Sequence, residues 1–286
     1  RLAGWHPVPL SIREARRYAA RLRATLPPNP SRPTAPSRSR GGEPLVAVRD
    51  LVARYGTTTA LRHVNLRVER GEVVALMGRN GSGKTTLLTH LAGLRPPARG
   101  EVIVDGVRPH RLRPVEAVRH VTLVPAEPSD LFVADSVAGE LRGLPRGREL
   151  LRSLAPEIAD TAHPRDLSAG GQLLLALAIM LSYDAPLLLL DEPTRGLDYA
   201  AKERLAAILR ARAEAGRAVV LATHDVELAA EVATRTVVLA DGEVVADGPT
   251  AEVVTATPAF APQVARILHP LRWLTVGEVR EALEAG

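Results

Sequence analysis

The chain has 286 residues, 46% of them apolar and only 3% aromatic, with no cysteine and a formal charge of +5. Such a composition supports one large domain with appendages, built on Leu, Val and Ala, and argues against an intrinsically disordered chain. Without cysteine there are no disulfides and no thiolate metal sites, and no apolar run reaches the roughly 20 residues that cross a bilayer.

The positive charge is concentrated at the start. Residues 1–43 hold nine arginines against Glu14 and Glu43, so the remainder carries −2. This segment reads either as a solvated basic tail or as a nucleic-acid arm; the near-neutral body favours the tail, and no direct nucleic-acid partner is expected. Ile12, Ala15, Ala19 and Leu22 recur between Arg13, Arg16, Arg17 and Arg21, which predicts a short basic amphipathic helix within residues 1–26. Residues 27–43 follow as a linker, extended and poorly ordered because five prolines fall among them.

The main body occupies residues 44–255. Strand-like runs at 46–48, 61–68, 72–77, 101–104, 120–124, 186–190, 218–222 and 236–239 alternate with helical runs at 85–94, 169–182, 200–215 and 226–232. Early strands are bounded by tight turns, and later ones are separated by helices long enough for right-handed crossovers. The unbroken apolar run at 187–190 suits a central parallel strand covered on both faces. An α/β fold with a mixed sheet is therefore expected. Residues 256–286 form a C-terminal extension that echoes the start: Leu10-Ser-Ile-Arg-Glu-Ala-Arg16 lies on Leu274-Thr-Val-Gly-Glu-Val-Arg280, with Trp5 and Trp273 shortly before. The echo is either chance or a repeat. As a repeat, it makes residues 1–26 the tail of an earlier copy and this chain the second half of a tandem protein, a reading that the initial Arg1 agrees with.

The strongest chemical signal is Gly78-Arg79-Asn80-Gly81-Ser82-Gly83-Lys84-Thr85, followed by Thr86. It fits G-x-x-x-x-G-K-[ST] and falls between a predicted strand and a predicted helix, where backbone N–H groups can curl around phosphate oxygens. Lys84 would neutralise the β- and γ-phosphates of ATP, and Thr85 would offer its hydroxyl to Mg²⁺. A second apolar strand ends in Asp191 and Glu192; Asp191 would hold the metal through water, and Glu192 would polarise the attacking water. His224 closes a third strand and could sense the γ-phosphate as a donor. Ser168, in Asp166-Leu-Ser-Ala-Gly-Gly-Gln172, heads a long apolar helix; it reads either as an N-cap or as part of an anion site facing a phosphate supplied from elsewhere.

In this order and spacing the motifs resemble the ATP-binding domains of ABC transporters over roughly residues 44–255. The resemblance implies a P-loop NTPase: a RecA-like core with a mixed sheet, an antiparallel β subdomain and a small helical subdomain. It implies ATP hydrolysis with Mg²⁺, coupled to transport. Two domains would close head to tail, with Ser168 and Gly170 of one reaching the ATP held by the other. Tyr55 matches the aromatic residue that stacks on adenine, and Asp198, in Thr194-Arg-Gly-Leu-Asp198, matches the loop that couples the two sites. Two positions depart from the family. Leu167-Ser-Ala-Gly-Gly171 stands for the usual L-S-G-G-Q, a change that leaves the backbone donors in place. In Val124-Pro-Ala-Glu-Pro128, Ala126 stands where the family has a glutamine that binds Mg²⁺, with Glu127 beside it.

Within the family the chain is most similar to the ATPases of energy-coupling-factor importers, which take up vitamins and transition-metal ions. The similarity rests on Asp191-Glu-Pro-Thr-Arg-Gly-Leu-Asp198, the apolar run 173–180 and the terminal extension with Leu274-Thr-Val. It implies an upstream ATPase half, a transmembrane scaffold and a membrane-embedded substrate-binding protein as partners, at the cytoplasmic face of the cell membrane. The alternatives are another kind of ABC transporter ATPase and a soluble tandem ABC ATPase acting on ribosomes or nucleic acid; the short stretch 126–167, without a charged insertion, disfavours the latter.

Overall fold

The computed structural model describes residues 5–6, 8–30, 43–144, 146–256 and 260–284. Helix α1 (Ile12–Thr25) precedes an antiparallel hairpin of β1 (Val46–Tyr55) and β2 (Thr58–Val68), followed by β3 (Val73–Met77), α2 (Lys84–Leu91) and β4 (Arg99–Val104). Short elements α3 (Pro114–Ala117), β5 (Val121–Val124) and α4 (Val137–Glu140) lead into α5 (Gly147–Leu154) and α6 (Ala169–Ser182). The chain then runs through β6 (Leu187–Asp191), α7 (Tyr199–Glu214), β7 (Ala218–Ala222), α8 (Val226–Val232), β8 (Arg235–Ala240) and β9 (Glu243–Pro249). It ends in α9 (Thr250–Ala256), α10 (Gln263–Leu268) and α11 (Val276–Glu284).

Two sheets form. The first is antiparallel, in the order β2-β1-β4; the second is mixed, in the order β5-β6-β7-β3-β8-β9, with only the β8–β9 pairing antiparallel. The mixed sheet, the separate antiparallel sheet and the helices around them are the α/β arrangement that the sequence predicts.

Alternation along the strands explains the layering. In β6, Leu188 and Leu190 join the cluster under α6, α7 and α8, while Leu187 and Leu189 join the cluster that holds α2 and the antiparallel sheet. Strand β3 divides the same way, with Val73, Ala75 and Met77 on one side and Val74 and Leu76 on the other. Every residue of β3, β6 and β7 is buried, as parallel strands covered on both faces require. Helix α6 is apolar around most of its circumference, consistent with ten buried residues among its fourteen.

The terminal segments pack on each other. Ala19 and Leu26 of the N-terminal segment share a small core with Leu268, Trp273 and Val279. Arg16 Nε donates to the Arg266 carbonyl at 2.6 Å and Arg23 Nη1 to that of Ile267 at 3.2 Å, so α1 satisfies carbonyls that the end of α10 leaves without helical partners. The Trp273 indole N–H donates to the Pro27 carbonyl at 2.9 Å. Of the predicted linker 27–43, residues 31–42 lie outside the described residues, whereas Pro27 and Pro28 are tied to the C-terminal extension.

The two stretches of the sequence echo adopt one local structure. Ser11 Oγ accepts from Glu14 N at 3.2 Å, while Glu14 Oε2 accepts from Leu10 N at 2.8 Å. Thr275 Oγ1 accepts from Glu278 N at 3.1 Å, while Glu278 Oε2 accepts from Leu274 N at 2.7 Å. Both are S/T-x-x-E helix starts in which the Glu reaches back to the residue before the cap, and at Thr275 it also accepts from the cap N–H at 3.2 Å.

Trp273 is 2% exposed and anchors this satellite core. Trp273→Ala should cost about 3–5 kcal/mol locally, read as faster amide exchange in α1 and α10 with β3 and β6 unchanged. Equal acceleration in all four would show that the terminal helices do not form a separate unit.

Candidate functional site

Parallel strands that neighbour one another present their C-terminal ends along one edge of the sheet, where α/β folds gather ligands. Here β3 leads to the loop 78–83, β6 ends at Asp191 and Glu192, and β7 leads to Thr223 and His224; β7 lies between β6 and β3. The topology thus brings together three groups that the sequence scatters over nearly 150 residues.

Gly78 opens the loop at φ +145°, and an added Cβ would lie 2.2 Å from the Leu239 carbonyl oxygen. Only glycine fits this close approach of backbone to backbone. Arg79, Asn80 and Gly81 are exposed at the tip; Ser82 is buried, and its hydroxyl has no hydrogen-bond partner. Gly83, also left-handed, heads α2 without a side-chain cap, so the first N–H groups of the helix have no side-chain acceptor there. Lys84 is 7% exposed, and its ammonium donates to the carbonyls of Gly78 and Arg79 at 2.8 and 3.2 Å. Thr86 supplies a backbone acceptor to Thr89 and His90 within α2. A buried orphan hydroxyl, a buried ammonium and free helical N–H groups form a donor set suited to polyphosphate.

Thr85 Oγ1 donates to Asp191 Oδ2 at 2.7 Å and joins the loop to the end of β6. Burial pushes the Asp191 carboxyl above its ordinary value, and the neighbouring Glu192 charge adds to this; the Thr85 bond and the Lys84 charge oppose it. A hydroxyl beside a buried, electrostatically stressed carboxylate is a hard-oxygen pair that fits Mg²⁺. Glu192 is held at φ +50°, a costly conformation for a residue with a Cβ, and its N–H donates to the Ala222 carbonyl of β7 at 2.8 Å. Its Oε2 lies 2.7 Å from His224 Nδ1. With Glu192 ionised, the imidazole supplies the proton of that bond, which orients the ring.

The residues around Ser168 assemble differently. Ser168 caps α6 by accepting from Gly171 N at 3.1 Å, and both Ser168 and Ala169 are exposed. Gly170 packs on the loop after β6: an added Cβ would lie 2.7 Å from the Gly196 carbonyl oxygen. Asp198 caps α7 through Ala201 N at 2.7 Å. Tyr55, at the tip of the β1–β2 hairpin, is 39% exposed, and the hairpin leans on the loop through Ala60, Leu61 and Gly83. Sequence reasoning missed two contacts. Glu127 does not stand free beside Ala126; its carboxylate is 2.6 Å from Arg195. The half-buried Asp225 carboxylate accepts from Lys202 Nζ at 2.7 Å, next to His224. Neither has a signal in local spacing, since the partners lie 68 and 23 residues apart.

The model of the ABC transporter family matches residues 61–195. The chain carries an ABC transporter ATP-binding domain. It is 53% identical to a Streptomyces coelicolor protein named as an ABC transporter ATP-binding protein, with 99% of this chain and 56% of that protein covered. It is 33% identical to a like-named Bacillus thuringiensis protein, covering 95% and 52%. The chain thus spans about half the length of the curated relatives it matches. Among solved structures, an ATP-binding cassette captured as a dimer after hydrolysis with ADP and phosphate aligns at TM-score 0.64 and 28% identity, covering 72% of this chain and 98% of that one. The cbiO1 subunit of the Clostridium perfringens cbiONQ transporter complex aligns at TM-score 0.65 and 25% identity, covering 85% and 100%.

ABC domains of this kind are ATPases that bind ATP with Mg²⁺, and the donor set above agrees with both. Among the described residues no helix is long and apolar enough to cross a membrane.

The contact of α6 with the loop after β6 leaves little room for a side chain at Gly196, whose φ is +77° and whose Cβ would sit 3.0 Å from that of Ala169. Gly196→Ala should lower stability by about 2 kcal/mol, seen as a lower urea midpoint at constant slope. An unchanged midpoint would mean the two segments are not packed as described.

Proposed function

We propose that this domain hydrolyses ATP as one half of a head-to-tail pair that drives a membrane importer. The observation that carries the reading is the meeting of Lys84, Thr85, Asp191, Glu192 and His224 at one sheet edge. Residues 78–86 cradle the phosphates, with Lys84 exchanging its two carbonyl partners for phosphate oxygens. Thr85 and Asp191 hold Mg²⁺, which supplies charge neutralisation on the transferred phosphoryl group. Glu192 accepts the proton of the attacking water, and His224 steadies that carboxylate from its Nδ1 side. Tyr55 stacks on the base.

Ser168, exposed at the head of α6, and Gly170, close behind it against Gly196, offer backbone donors and a hydroxyl to the ATP of a second domain. Asp198, at the start of α7, stands in the loop that Gly170 abuts, so a change at one site has a direct route to the other.

The partner is proposed to be an upstream ATPase half of the same protein, working with a transmembrane scaffold and a membrane-embedded substrate-binding protein at the cytoplasmic face. Three observations support this: relatives nearly twice the chain's length, the shared capping boxes of α1 and α11, and the packing of α1 on the C-terminal extension. The motif 191–198 supports an energy-coupling-factor type that imports a vitamin or a transition-metal ion, and the likeness to cbiO1, part of an ABC transporter complex, supports work within such a complex.

Ala126 offers no ligand to the metal, and Arg195 engages Glu127. Hydrolysis therefore proceeds without the glutamine that the family uses, and Ala126→Gln should raise turnover about tenfold. Turnover that does not rise would assign the metal entirely to Thr85, Asp191 and water.

Glu192→Gln should cut steady-state hydrolysis by about 100-fold or more with ATP affinity retained. Hydrolysis equal to the parent's would remove Glu192 as the base. Co-purification from native membranes should recover a polytopic protein and a small membrane protein; recovery of ribosomal proteins or nucleic acid alone would sink the importer reading.

A further inference from the structure

Tyr55 does not stand alone. The guanidinium carbon of Arg95 lies 4.8 Å from the centroid of its ring, within the roughly 6 Å reach of a cation–π contact. Among the described residues Arg95 makes no ion pair and no side-chain hydrogen bond, so the ring is its partner. The backbone holds the two together. Ala98 N donates to the Val52 carbonyl at 3.0 Å, and Arg99 pairs with Val52, which ties the loop after α2 to the end of β1 three residues before Tyr55. The same hairpin touches the phosphate loop, since an added Cβ at Gly83 would lie 2.9 Å from the Ala60 carbonyl oxygen. Loop 95–98 and loop 78–83 flank opposite ends of α2 and both reach the hairpin.

We propose that Arg95 is a positioning residue for the nucleobase: it occupies one face of Tyr55, fixes the ring, and reserves the opposite face for a purine. The proposal rests on Tyr55 being the base-stacking residue. An aromatic ring has two faces, and an exposed tyrosine at a hairpin tip would otherwise sample several orientations, each of which must be given up when a base stacks. A guanidinium on one face removes that freedom beforehand. It also draws π-density toward itself, which lessens face-to-face repulsion with a purine on the other side. Arginine serves better than lysine because its planar group lies flat on the ring and is weakly hydrated.

The contribution belongs to the base alone, and this separates it from a structural or general electrostatic role. The measurement is calorimetric binding of ADP and of inorganic pyrophosphate, both with Mg²⁺, to the parent chain, Arg95→Ala, Arg95→Lys, Tyr55→Ala and the Tyr55→Ala/Arg95→Ala pair. Neither ligand has to be protected from turnover. Arg95→Ala should weaken ADP about two- to fivefold and leave pyrophosphate unchanged, with Arg95→Lys between parent and Arg95→Ala. In the Tyr55→Ala background the second substitution should add nothing. Three results would overturn the proposal: unchanged ADP affinity in Arg95→Ala, tighter ADP binding there (Arg95 would then occupy the base's own seat), or equal losses for ADP and pyrophosphate. If Tyr55→Ala itself leaves ADP unaffected, the base-stacking role of Tyr55 fails first; a strong Tyr55 effect with a silent Arg95 removes only Arg95.

Discussion

Strand β7 separates β6 from β3, and every functional distance in the site follows from that adjacency. Parallel strands lie about 4.8 Å apart, so the end of β6 and the phosphate loop after β3 are about 10 Å apart across one intervening strand. The Thr85–Asp191 contact closes what remains, while Glu192–His224 joins the ends of the adjacent strands β6 and β7. Register is locked by burial on both faces, because a one-residue slip of β6 would exchange Leu188 and Leu190 with Leu187 and Leu189 between two differently shaped cores. The chemistry is therefore positioned by leucine packing, and a core substitution far from any phosphate can shift the site.

The site concentrates electrostatic stress at Asp191. Asp191 is pushed toward its protonated form by burial and by Glu192, Lys84 is turned onto backbone carbonyls, and Ser82 keeps a buried hydroxyl without a partner. Glu192 adds a left-handed backbone. The stressed Asp191 carboxyl and the orphan Ser82 hydroxyl are unfavourable alone, and in the proposed site a polyphosphate with a divalent cation would relieve both, by supplying an acceptor to Ser82 and positive charge to Asp191. Binding energy available in this way would be localised at the sheet edge proposed for phosphoryl transfer.

Much of this was legible in the sequence because it is encoded locally. The loop 78–85 carries its glycines and lysine in one stretch, and the run 187–190 announces a buried strand that ends in carboxylates. The capping boxes of α1 and α11 were present in the echo, although only the packing on Trp273 shows that the segments touch. What stayed hidden was either long-range or weakly patterned. Strand β9 alternates exposed and half-buried residues and ends in Asp-Gly-Pro, so its apolar signal is faint. The short helices α3 and α4 have too few turns for periodicity to register. The Glu127–Arg195 and Arg95–Tyr55 contacts join residues 68 and 40 positions apart, on exposed loops and the exposed end of β1, where no burial pattern marks them.

The most direct examination of the site is a crystal structure of the protein with Mg²⁺ and a non-hydrolysable ATP analogue. Lys84 should have left the Gly78 and Arg79 carbonyls for the β- and γ-phosphates, with Mg²⁺ beside the Thr85 hydroxyl and Asp191 and the terminal phosphate facing Glu192. A nucleotide bound elsewhere, or phosphates in the loop with Lys84 still on its carbonyls and the metal away from Asp191, would contradict the assignment of this sheet edge as the catalytic site.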